Sequence, residues 1–403
     1  MISRLPVVCS TCNDVFALRV QIGHLDKQEH KFKCLRCKEP MTLVLDLSEG
    51  VVEIESFSGL SIYDGDGASL ETLFLSSDFI VNEEDSRNPF FFPSIREVNS
   101  LIKDRGLADF DSIGGKFISY RDETNIILDF WGSISSAYRL YGVGEYFLSS
   151  RKIEGVLGND SGRKKGIDYA LCCFHKEVYG DSGWYDFVKK TYDKNSVNFR
   201  KFLCWYSEFI KKERMDGIFS ILNEYFKNFK YHREAFIYVK NSREFPENGF
   251  VTSDFFDDIS KYYASAFEER SKQLVVLTAF NNILNGRDFD SLENIDLYKY
   301  SKSDAAKKRN NLVNNDFLYN ETSEYDSKLR NAIYHGWIRH DTNKNSLMYK
   351  SSEGSSDFFN LSVAEYIFKC GVITRQISGF GCVVFYLNDI MRKNAYVLKD
   401  LDF

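Results

Sequence analysis

Arg330-Asn331-Ala332-Ile333-Tyr334-His335, followed at once by Gly336, sets a permanent cation, an amide and a titratable imidazole within about one and a half helical turns. These are the groups that metal-free cleavage of a phosphodiester needs. A guanidinium can hold a phosphate as charge grows on its oxygens, and an imidazole can move the proton. Leu329, Ala332 and Ile333 fall at i, i+3 and i+4, the spacing of a buried stripe, whereas Asn331 and His335 are four apart and share another face. Gly336 is a natural helix stop, so His335 is expected in the last turn, where the carbonyl end favours a protonated ring.

The pattern Arg-Asn-x-x-x-His-Gly is entered from a helical stretch and followed by a polar loop and another long helix. It resembles the HEPN superfamily of ribonucleases and RNA-associated helical domains, and the resemblance spans roughly residues 253–403. It implies that His335 acts on the ribose 2′-hydroxyl as general base or on the leaving 5′-oxygen as general acid. Arg330 would stabilise the scissile phosphate, and Asn331 would orient the histidine or the phosphate. The products implied are 2′,3′-cyclic phosphate and 5′-hydroxyl ends, formed without a catalytic metal. Because one imidazole does not easily serve as both acid and base, the resemblance further implies a homodimer that brings two motifs together. His340, followed by Asp341, is an alternative second proton carrier, expected in a polar loop over 339–343. The family also suggests a defence role, a toxin-like RNase cutting tRNA or other RNA under phage infection or stress, restrained by a regulatory protein or released by a phage-derived trigger. The rival expectation is a silent HEPN-like module that dimerises and binds nucleic acid or protein.

Cys9-Ser-Thr-Cys12 and Cys34-Leu-Arg-Cys37 form a second constellation, two CxxC turns separated by 21 residues. Each such turn aims two thiolates at one point, and two of them complete a tetrahedral sulfur shell with no position left for a reactive water. The spacing resembles a zinc ribbon and predicts structural zinc, with His24 and His30 as spare ligands. A metal so enclosed does no hydrolysis. The nearby Lys27, Lys31, Lys33, Arg36 and Lys38 suit either RNA phosphate or simple solvation.

With 403 residues and 43% hydrophobic content, the chain can form two or three domains with real cores. Its boundaries are expected at 1–57 for the ribbon with its following strands, 58–250 for a mixed, then mainly α, middle region, and 251–403 for a HEPN-like helical bundle. The fold class expected is mainly α with an N-terminal β ribbon. A net charge of −6 argues against broad attachment to nucleic acid, so any RNA contact must be local. No apolar run reaches the length of a membrane span and no signal-peptide layout opens the chain, so a cytoplasmic protein is expected. Of the 9 cysteines, Cys172, Cys173, Cys204, Cys370 and Cys382 sit in apolar helical contexts that suit free buried thiols.

Helical periodicity runs through 126–148, 168–178, 185–192, 198–212 and 217–229. Phe202, Trp205, Tyr206, Phe209, Phe219, Tyr225 and Phe226 recur on it and are expected in the core. The glycine- and lysine-rich stretch 158–166 lacks the Lys-Ser/Thr step of a phosphate loop and reads as a basic surface loop. The C-terminal segment is expected to be helical throughout. Lys302, Lys307, Lys308 and Arg309 offer a phosphate track near the motif, Ser362 to Glu365 is a capping box, and Gly379 and Gly381 are expected to bend the last helix.

Overall fold

The computed structural model describes residues 2–23, 25–48, 51–67, 69–76, 80–82, 113–158, 166–246, 248–252, 255–292, 295–341 and 344–393. The basic stretch 159–165 and His24 lie outside the described residues, as do residues 83–112, where the acidic, then Phe-rich and proline-ended segment 82–93 reads as a connection.

Two cores organise these residues. The N-terminal core is built by strands β1 (Ile2–Cys9), β2 (Val15–Gln21), β3 (Lys27–Lys33), β4 (Pro40–Asp46), β5 (Glu53–Ser58), β6 (Leu60–Ile62) and β7 (Thr72–Ser76). One sheet has the order β6-β1-β2-β7, with β7 parallel to β2, and a second has β3-β4-β5. Alternation explains the inward set: Phe16, Leu18 and Val20 from β2 and Met41, Leu43 and Leu45 from β4 are buried together. Leu60 and Leu75 join them, so β6 and β7 complete this module.

The remainder is mainly α. Helices α1 (Ile113–Gly142), α2 (Tyr146–Leu157), α3 (Ile167–Tyr179), α4 (Trp184–Lys194), α5 (Ser196–Phe209), α6 (Lys211–Lys227) and α7 (Phe229–Lys240) precede the short α8 (Phe256–Ile259) and the long α9 (Tyr262–Leu284). Strands β8 (Val81–Asn82) and β9 (Gly249–Phe250) pair across the start of this body. Then come α10 (Leu297–Ser301), a 3-10 turn over Ala305–Leu312, α11 (Asp316–Glu321), α12 (Ser327–Tyr334) and α13 (Val363–Lys393). A single apolar cluster runs from Ile80 to Leu387, so the middle and C-terminal helices share one core. At its centre α13 packs against α3, α4, α6, α7 and α9. Among the described residues, α13 is also the one helix long and apolar enough to cross a membrane, and 83% of its most apolar window is buried inside the protein.

Several expectations need correction. The segment after α12 is not helical: β10 (Ile338–Asp341), β11 (Ser346–Lys350) and β12 (Phe358–Ser362) form an antiparallel sheet. His340 therefore lies on a strand rather than in a polar loop. The signal was present in Leu347/Tyr349 and Phe359/Leu361, whose two-residue period is short and interrupted by charge. Helix α13 does not break at Gly379 or Gly381. The serine half of its capping box forms, with Glu365 N–H donating to Ser362 Oγ at 3.0 Å, and Gly379 admits a close neighbour: a Cβ there would lie 3.1 Å from Trp184 Nε1, whereas one on Gly381 would make ordinary contact at 3.4 Å with Leu171 Cβ. The 126–148 pattern is two helices, parted at Gly144 with φ +86°. Of the middle aromatics, Phe202, Tyr206, Phe219, Tyr225 and Phe226 are core, Trp205 is half-buried, and Phe209 is 59% exposed. Cys172, Cys370 and Cys382 are buried, while Cys173 and Cys204 are half-buried.

Candidate functional site

The cysteines come together as their spacing requires. The four Sγ atoms lie within 4.8 Å of one another, with Cys9–Cys37 and Cys12–Cys34 at 3.6 Å. Four sulfurs at ~2.3 Å from a tetrahedral zinc would be about 3.8 Å apart, so the cage has the right size. Both halves repeat one turn. Asn13 N–H donates to Cys9 C=O at 3.0 Å and Lys38 N–H to Cys34 C=O at 3.2 Å, and Asn13 and Lys38 each adopt positive φ. Burial raises the Cys9 thiol, but the Cys12 and Thr11 N–H groups that face its sulfur bring it down to about 7. Cys37 receives the Glu39 N–H, which lowers it, yet burial and the three neighbouring sulfurs push it up to about 12. Four thiolates this close repel one another unless a cation sits among them. The donor set fits a structural zinc site.

The second constellation sits on α12. Asp326 caps its start, accepting from the Lys328 and Leu329 N–H groups, and Leu329 and Ala332 are fully buried with Ile333 half-buried, as the stripe required. The helix ends in a Schellman motif: Trp337 N–H donates to Ala332 C=O at 2.8 Å, Gly336 N–H to Ile333 C=O at 3.4 Å, and Gly336 takes φ +69°. His335 thereby becomes the C-cap residue. Its ring is exposed and stacks on Trp337, with centroids 4.5 Å apart at 22°.

Arg330 lies half-buried on the same short helix. Its NH1 donates to Asn331 Oδ1 at 2.7 Å, joining the first two members of the motif. Its other edge is occupied by a residue the sequence reading missed: Nε donates to Glu268 Oε1 at 2.6 Å, and NH2 donates to the same oxygen. Glu268 comes from α9, which packs directly on α12. The clue was a charged run, Glu268-Glu269-Arg270-Ser271-Lys272, inside a helix buried on nearly every face. Charges in such a helix need partners. Arg270 finds Gln273 Oε1 and the Glu321 carbonyl, each at 2.7 Å, and Glu269 finds Arg214 at 3.0 Å.

The expected basic track is only partly surface. Lys302 and Lys307 are exposed, but Lys308 is buried, donates to Ser301 C=O at 2.9 Å, and is lowered by burial despite the Glu268 carboxylate opposing it. Arg309 lies over the Tyr319 ring at 3.9 Å. The His340 ring rests 5.2 Å from Phe256, with Nε2 3.4 Å from Asn345 Oδ1. What the arrangement offers chemically is an accessible imidazole and, on the same helix, an arginine braced by Asn331 and Glu268.

No known family model, curated protein or solved structure matches this chain.

Proposed function

We propose that this protein is a metal-independent endoribonuclease whose HEPN-like C-terminal domain cleaves RNA to 2′,3′-cyclic phosphate and 5′-hydroxyl ends. The observation that carries the reading is the surface display of the motif: apolar positions turn inward, while His335 stands exposed at the C-cap and Arg330, half-buried earlier on the same helix, is braced by Asn331. In this reading His335 moves a proton between the 2′-hydroxyl, the leaving 5′-oxygen and solvent. Arg330 places charge-assisted hydrogen bonds on the scissile phosphate, and Asn331 fixes the guanidinium. A homodimer supplies the second imidazole, and the zinc-ribbon-like module contributes recognition or restraint. The setting is cytoplasmic defence against phage or stress, with tRNA among the possible substrates and a regulatory protein or phage-derived trigger controlling release.

A second reading, a catalytically silent module that dimerises and binds nucleic acid or protein, is favoured by one observation. The Nε/NH2 edge of Arg330, which would grip a phosphate, is engaged by Glu268. Substrate must displace that carboxylate or use the remaining NH1 donor.

One experiment separates the two. Full-length protein is incubated with RNA without added magnesium, and fragment ends are analysed. Cyclic phosphate ends made by the wild type and absent with His335→Ala and Arg330→Ala support the nuclease. Intact RNA at every concentration, with RNA retention equal in all three proteins, leaves the binding module.

A further inference from the structure

Between α5 and the loop after α9 lies a cleft of about 510 Å³ to which the nuclease reading assigns nothing. Its walls are aromatic. Trp205 and Phe289 lie with ring centroids 6.0 Å apart, and Phe209 leaves 59% of its surface in solvent at the cleft edge. Its rim is acidic, with Glu208 from α5 and Asp288 and Asp290 flanking Phe289, all exposed. Lys201 is the single cation among its lining residues.

The loop that carries Phe289 is pinned from both sides by buried amides. Phe289 N–H donates to Asn198 Oδ1 at 3.1 Å, and Asn198 Nδ2 donates to Arg287 C=O at 2.8 Å. Asn282 Nδ2 donates to Phe289 C=O at 3.0 Å. Asn198 and Asn282 are 4% and 1% exposed. The backbone of the loop at Phe289 is thus fixed before any ligand arrives, which sets where the ring and the two flanking aspartates emerge and lowers the ordering cost of binding.

We propose that this cleft binds a linear polyamine. Aromatic faces attract ammonium groups through their quadrupoles and also cover the methylene segments between them, while carboxylates at the rim meet the charged nitrogens. The occupant must therefore be cationic, partly apolar and small, since the volume falls within the ~300–1,000 Å³ usual for small-molecule pockets. An anion or a nucleotide would face three carboxylates. A magnesium ion would gain nothing from the rings.

The test is calorimetric titration of the full chain with spermidine at physiological ionic strength. Comparison titrations use magnesium chloride at equal total charge and a capped trilysine peptide. Spermidine should bind saturably with a stoichiometry of one. Phe209→Ala, at a position too exposed to matter for folding, should weaken binding about 2- to 5-fold. The Asp288→Asn/Asp290→Asn double variant should weaken it by about 5-fold or more, with Glu53→Gln on the far module unchanged. Absence of saturable heat overturns the proposal. So do an Asp288→Asn/Asp290→Asn variant that binds within twofold of wild type, competition by magnesium at equal charge, which would make spermidine a mere counterion, or tighter binding of trilysine, which would make the cleft a peptide site. A melting temperature unchanged across the variants shows that the losses are not unfolding.

Discussion

The cysteine cluster and the α12 motif both gather polar side chains at one point, yet they draw their partners from different distances. The cluster takes four identical ligands from two copies of one local turn, each closed by its own backbone hydrogen bonds. The motif takes Asn331 from next door, but its nearest charge, Glu268, comes from 62 residues away across a helix packing. A site made of local turns is fixed by the turns; a site made across a packing is fixed only when the core forms. The first would then need only an ion to neutralise its thiolates, and the second needs everything behind it.

The sharpest way to break that contrast is to remove the metal. If zinc holds the four thiolates, Cys12→Ser or a strong chelator should unfold the N-terminal module, since structural zinc supplies ~10–16 kcal/mol of apparent binding energy in small zinc domains. The body around α13 should persist, because its apolar cluster is separate. Circular dichroism and limited proteolysis would show loss of the β signal with helices retained. Simultaneous collapse of both would mean that the junction, bridged by Lys31–Asp258 at 3.1 Å and Lys230–Glu29 at 3.3 Å, binds the two into one cooperative unit.

Next in size is the motif itself. If the proposed nuclease reading holds, His335→Ala should lower the cleavage rate about 10²- to 10⁴-fold with little change in melting temperature, because the ring is exposed and stacked only at the surface. Glu268→Gln tests the distant partner. Removing its charge while keeping an acceptor frees the guanidinium edge, so RNA should be retained about 3- to 10-fold more tightly, equivalent to ~1 kcal/mol of a partly exposed ion pair. Unchanged retention would place Arg330 outside the RNA contact.

The unequal legibility of these regions follows from the same difference. Cys9, Cys12, Cys34 and Cys37 could be assigned to one cage from spacing alone, and Leu329, Ala332 and Gly336 announced the inward stripe and the stop of α12. Glu268 could not be paired with Arg330, because periodicity says which face a residue occupies but not which helix meets that face. Gly379 shows the same limit: a glycine in a long helix suggests a bend when read locally, and only the approach of Trp184 reveals that a Cβ there would be crowded. The β10–β12 sheet escaped notice because its strands are short and carry His340, Arg339 and Lys350 in an otherwise helical segment.

Acid should also separate the regions. His175 and His232 are held neutral inside the body, each pushed down to about 3, chiefly by burial. A histidine whose folded value lies below its unfolded one contributes stability that is complete above about pH 6.5 and is lost as pH falls toward the folded value. His232 stacks on Tyr225 with centroids 4.5 Å apart in an aromatic pocket. His232→Phe should therefore gain about 2 kcal/mol relative to wild type between about pH 6.5 and 5, read as urea midpoints of the helical signal. The module's acid response, which comes from protonation of the cysteines, should not move.

The smallest effect belongs to the turns of the cage. Asn13 and Lys38 occupy equivalent positions, one residue past each CxxC, and both are left-handed, at φ 56° and 63°. Asparagine tolerates that region, but a lysine there carries steric strain of ~1–2 kcal/mol, part of which its own Nζ recovers by donating to Leu35 C=O at 2.8 Å. Lys38→Gly relieves the strain while adding ~0.5–1 kcal/mol of unfolded-chain entropy and losing the ammonium contact. The net should be a stabilisation of a few tenths of a kcal/mol up to ~1, measured as resistance of the module to chelator. Gly336→Ala at the end of α12 makes the opposite change in the same backbone region, at φ 69°, and should cost about 1 kcal/mol. If instead Lys38→Gly weakens the module, the ammonium on Leu35 C=O is holding the second knuckle closed. The cage would then rely on a side-chain contact as well as on its backbone turns, and the contrast with α12 would narrow.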